Sequence, residues 1–123
     1  MCKIAQVMQL EKIVKQGILY DFYGELLTKH QREVYEDLVL NDMSLAEIAE
    51  EQGVTRQAVH DLLRRCDKLL EGYEEKLGLY EKFRKTRELT GEIREMAEKC
   101  RRSGDLSLVP KIEELSEKIL DIV

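Results

Sequence analysis

The sequence predicts an all-α protein organised around a helix-turn-helix, and three observations carry the prediction. The chain of 123 residues has one proline, seven glycines and no tryptophan, and its richness in Leu, Glu, Lys and Ile is the composition of helices. Apolar residues recur at steps of three and four along most of the chain, the period of helices with one buried face. Residues 44–70 place small, apolar and turn-forming residues where two closely crossing helices need them.

The elements follow in order. A first helix is expected from about Ala5 to Leu27, with Val7, Leu10, Val14, Ile18, Phe22 and Leu26 forming its buried stripe. Thr28 with Gln31 has the spacing of a capping box and starts a second helix to about Leu40, with Val34, Tyr35 and Leu38 inward. Asn41 and Asp42 break it, since both residue types favour turns. Ser44 with Glu47 repeats the capping-box spacing and opens a helix ending at Gly53. Thr55 caps the next helix, which runs to about Lys76 and is interrupted at Gly78.

Two further helices are expected, from about Leu79 to Arg102 and from Leu108 to Val123, joined by Ser103-Gly104-Asp105. Their stripes, Leu89, Ile93, Met96, Cys100 and Leu108, Ile112, Leu115, Ile119, Ile122, have coiled-coil spacing. An antiparallel hairpin and a homodimer through these helices bury the same stripes. The expected organisation is therefore a helix-turn-helix domain over 1–78, with an N-terminal helix, and a C-terminal helical hairpin arm over 79–123.

Within 44–70, the small Ala49 stands where the second helix crosses the first, and Gly53 supplies the left-handed turn conformation. Leu45, Ile48, Val54, Val59 and Leu62 occupy the expected contact positions. At about 100° per residue from Arg56, the residues Ala58, Val59, Leu62, Leu63, Cys66, Leu69 and Leu70 fall in one arc of roughly 140°. The remaining arc displays Arg56, Gln57, His60, Arg64 and Lys68, the candidate nucleic-acid contacts. Gln can pair adenine, and Arg can pair guanine or phosphate.

Charge argues the other way. The chain carries 20 basic and 25 acidic residues, a net of −5. Residues 44–78 carry five positive and eight negative charges, whereas a dedicated DNA reader usually has a basic footprint. Asp61 and Asp67 are expected on the surface that would meet phosphates. Nucleic-acid contact and protein binding therefore both stay open for this helix.

Other chemistry finds no support in the sequence. His30 and His60 are isolated and no metal-ligand spacing occurs. No phosphate-cradling glycine loop or nucleophile–base set is present, so neither a catalytic residue nor a cofactor is expected. Cys2, Cys66 and Cys100 are odd in number and lack a C-x-x-C pair, which fits a reduced, cytoplasmic protein. Neither a membrane-spanning run nor a signal peptide is expected.

Several stretches together resemble the YlxM family of small bacterial proteins. These are Asp21-Phe22-Tyr23-Gly24-Glu25-Leu26-Leu27-Thr28, Ser44-Leu45-Ala46-Glu47-Ile48-Ala49-Glu50-Glu51, Arg56-Gln57-Ala58-Val59, and Leu69-Leu70-Glu71-Gly72-Tyr73-Glu74-Glu75-Lys76-Leu77-Gly78-Leu79-Tyr80. The helix-turn-helix alone is also similar to region 4 of bacterial sigma factors, which read promoter DNA. The first resemblance implies a cytoplasmic accessory of the signal recognition particle pathway, acting on the particle's GTPase or its RNA, with no catalytic residues. The second implies a DNA-binding transcription regulator.

Overall fold

The computed structural model describes the backbone of residues 2–122 and the side chains of residues 11–122. Its described elements are helices α1 (Cys2–Tyr23), α2 (Lys29–Val39), α3 (Leu45–Gln52), α4 (Arg56–Leu77), α5 (Leu79–Ser103) and α6 (Val109–Ile122). Short 3₁₀ turns at Gly24–Leu26 and Leu106–Leu108 complete them. The fold is all-α, and the chain divides at Gly78 into two compact units.

The helix starts follow local side-chain chemistry. Thr28 Oγ1 accepts from Gln31 N while Gln31 Oε1 accepts from Thr28 N, so the predicted box is complete. Ser44 Oγ accepts from Glu47 N at 3.1 Å, but only this half of the second box forms. Thr55 Oγ1 accepts from Ala58 N at 3.0 Å. The ends follow backbone chemistry. Gly53 is left-handed at φ 67°, its N–H donates to Glu50 O and that of Val54 to Ala49 O. This is the Schellman pair of bonds, and it satisfies carbonyls that the end of α3 would otherwise strand. Asp42 takes the same left-handed region at φ 54°, a conformation Asp tolerates better than most residues.

In the first unit α1, α2 and α3 all pack on α4. Buried there are Leu19, Tyr23 and Leu27, Val34 and Tyr35, Ile48 and Ala49, and Val59, Leu63, Cys66 and Leu70 of α4. The predicted first helix is corrected in two respects. It ends at Tyr23, and Gly24–Leu26 tighten into a 3₁₀ turn. Its buried residues are Leu19, Tyr23 and Leu27, while Val14 and Leu26 are exposed; Val7 and Leu10 lie outside the described side chains. The physical cause is Tyr23, whose ring is buried while its hydroxyl donates to Glu74 Oε1 at 2.6 Å.

Gly24 has a specific packing reason. A Cβ there would lie 2.7 Å from the Tyr20 ring, which stacks on Tyr35 at a centroid distance of 5.6 Å and donates its hydroxyl to Glu36. The second unit is an antiparallel hairpin of α5 and α6. Leu115 is buried, and Leu89, Ile93, Met96, Cys100, Ile112 and Ile119 are half-buried. Gly104, left-handed at φ 69°, turns the chain between the two helices.

Candidate nucleic-acid interface

Helix α4 positions every candidate contact residue. Its 22 residues extend about 33 Å at 1.5 Å per residue. The buried residues Val59, Leu63, Cys66 and Leu70 lie within about 60° of one another on the helical wheel. That buried arc is narrower than the sequence partition and rotated from it. Ala58 and Leu69, assigned inward, are exposed, as is Val54 of the turn. Asp67, assigned outward, is partly buried.

Asp67 explains the rotation. Tyr35 Oη donates to its Oδ1 at 2.6 Å, and Gln16 Nε2 donates to both carboxylate oxygens at 2.9 and 3.0 Å. The carboxylate therefore faces α1 and α2, and does not present a free charge to a phosphate. Tyr35 is fully buried, and that burial, reinforced by the Asp67 carboxylate, pushes its phenol pKa well above the ordinary tyrosine range. The partners lie 32 and 51 residues away in sequence, so no local pattern announces them.

Arg56, Gln57, His60, Arg64 and Lys68 are all exposed. They span an arc of about 120° along four turns. Gln57 Nε2 donates to Asp61 Oδ1 at 3.0 Å, and His60 Nδ1 lies 3.7 Å from the same oxygen. Asp61 thus draws these two polar side chains toward one turn. No ion pair or hydrogen bond among the described residues engages the side chains of Arg56, Arg64 or Lys68. Three cations are therefore left to meet an external partner. Ala49 is buried at the α3–α4 crossing, and Gly53 closes the turn.

The structure separates these residues into two surroundings. His60 and Arg64 line an open groove of about 490 Å³ with Leu63 and Asp67 of α4, Lys12, Ile13 and Gln16 of α1, Leu38 of α2 and Leu45 of α3. Arg56, Gln57 and Lys68 do not line it. Sequence reasoning missed Lys12 and Gln16. Their only sequence signal is the shared face implied by an i, i+4 spacing on α1. Among the described residues no cluster of His, Cys, Asp and Glu could hold a metal ion, and no helix is long and apolar enough to cross a membrane.

A family model described as "Putative helix-turn-helix protein, YlxM / p13 like" matches residues 10–109. Among curated proteins, the chain is 40% identical over 109 residues to the YlxM protein of Bacillus subtilis (strain 168), covering 88% of this chain and 99% of that one. It is 43% identical over 108 residues to a relative from Geobacillus kaustophilus (strain HTA426), covering 88% and 97%. A relative from Bacillus velezensis is 46% identical over 90 residues, covering 73% and 82%.

Proposed function

We propose, for a chain that belongs to the YlxM/p13-like family of helix-turn-helix proteins, a non-enzymatic regulatory role in the bacterial signal recognition particle pathway, exercised by binding the particle's RNA through the exposed face of α4. The observation that carries this reading is the set Arg56, Arg64 and Lys68, three exposed cations on one helix face with no internal partner among the described residues. Cations of this kind release counterions when they neutralise phosphates, which is the main source of affinity for a nucleic-acid backbone.

The capture of Asp67 by Tyr35 and Gln16 supports the same reading. It turns one of the two carboxylates expected among the phosphate contacts inward. The net charge of −5 disfavours indiscriminate binding of a polyanion and leaves any contact to a local group of cations such as this one. In a gel shift with signal recognition particle RNA, the wild-type chain retards the RNA and Arg56→Glu weakens that retardation while the fold is retained. Retardation of duplex DNA in place of the RNA would support the transcription-regulator reading. Binding to the particle's GTPase alone, unaffected by Arg56→Glu, would move the contact surface off α4.

A further inference from the structure

The groove between α1 and α4 differs in chemistry from the face carrying Arg56 and Lys68. Its floor is apolar, built from Ile13, Leu38, Leu45 and Leu63. Ile13 is 43% exposed at its edge, and Val14 beside it is 59% exposed. A sugar-phosphate backbone gains nothing from such a floor, and no Phe, Tyr or Trp ring lines it for a base to stack on. An apolar side-chain stripe gains the free energy of leaving water.

The dimensions point to a helix. The α4 wall presents His60, Leu63, Arg64 and Asp67, residues at i, i+3, i+4 and i+7, spanning about 10 Å or two helical turns. An amphipathic helix offers its apolar anchors at the same intervals.

The rim states the charge of the occupant. Lys12 and Arg64 flank the floor, and the adjoining dent carries Lys12 and Lys15 together with Asp67 and Glu71. None of the three cations has an ion-pair partner among the described residues. The single carboxylate in the groove, Asp67, already accepts from Gln16 and Tyr35. We infer that this groove is a docking site for an acidic amphipathic helix of a partner protein, its apolar stripe on the Ile13–Leu63 floor and its carboxylates on Lys12 and Arg64.

The test uses the full chain and a fluorescein-labelled synthetic helix with Leu at i, i+3, i+4 and i+7 and Glu on its flanks. Its counterpart with Lys in place of Glu is the control. The Glu peptide binds saturably, shifts the methyl resonances of Ile13, Leu38, Leu45 and Leu63, and loses about tenfold in affinity with Lys12→Glu or with Ile13→Asp. Both substituted residues are exposed, and circular dichroism of each variant confirms its fold. Failure of the Glu peptide to bind, or equal binding of the Lys peptide, would overturn the proposal. Arg56→Glu leaves the groove untouched, so loss of RNA binding and loss of peptide binding are read separately.

Discussion

Tyr35 of α2 donates its hydroxyl to Asp67 of α4 at 2.6 Å, from a side chain that is fully buried. This bond helps tie the second helix to the helix that carries the candidate contacts and, with the bonds from Gln16, turns Asp67 of that helix inward. A buried hydrogen bond to a charged group contributes about 1.5–3 kcal/mol. Tyr35→Phe is expected to lower stability to urea by about that amount. Asp67→Ala is expected to cost more, because it strands the buried phenol. Equal midpoints for wild type and both variants would refute the tie.

Gly17 and Gly24 make a paired prediction of opposite sign. A Cβ at Gly24 would meet the Tyr20 ring, which is held by Tyr35 and Glu36 and cannot swing away. Gly17 lies within α1 with nothing within 4 Å of an added Cβ. Gly24→Ala is expected to destabilise. Gly17→Ala is expected to stabilise by up to about 1 kcal/mol, the helix-propensity difference between the two residue types. Thermal melts of the two variants check the signs.

Alkaline titration should find Tyr20. Burial, followed by its hydrogen bond to Glu36 and that carboxylate's charge, pushes its pKa from 10.0 up to about 12. A folded-state pKa above the unfolded value means that the native state holds the proton more tightly. The resulting stability is fully present below pH 10 and is lost as pH rises through about 12. Phenolate absorbance of the five tyrosines should therefore rise in separate steps, with Tyr20→Phe removing a late one. A single step near the ordinary tyrosine value would contradict this.

Cys66 is fully buried on α4, and burial pushes its thiol pKa up to about 11, with the charge of Asp67 adding to the shift. The thiolate is the reactive form. Native protein treated with iodoacetamide near neutral pH should leave Cys66 unmodified, and unfolding should expose it. Mass spectrometry of the labelled peptides reads the outcome directly. Rapid native labelling at Cys66 would show that α4 opens.

Much of the fold was legible because its determinants are local. Thr28, Ser44 and Thr55 cap the helices they announce, and Gly53 and Gly104 turn the chain where their sequence context calls for it. The α4 partition was legible only in part, since Val59, Leu63, Cys66 and Leu70 are buried as expected while Ala58 and Leu69 are not. Two of the misread features depend on distant partners. Tyr23 is inside because Glu74 takes its hydroxyl, and Asp67 turns inward because Tyr35 and Gln16 meet it. The groove was illegible for the same reason, since its walls come from four helices.

RNA recognition by the exposed face of α4 is tested most sharply by a salt titration. Fluorescence anisotropy would follow binding to signal recognition particle RNA by wild type and by an Arg56→Glu, Lys68→Glu double variant. Wild-type affinity is expected to fall linearly with salt on logarithmic axes. The double variant is expected to bind more weakly and with a shallower slope, by roughly 0.7–0.9 for each phosphate it no longer neutralises. Equal affinity and equal slope for the two proteins would contradict RNA binding through this face, and so would a wild-type affinity that does not change with salt.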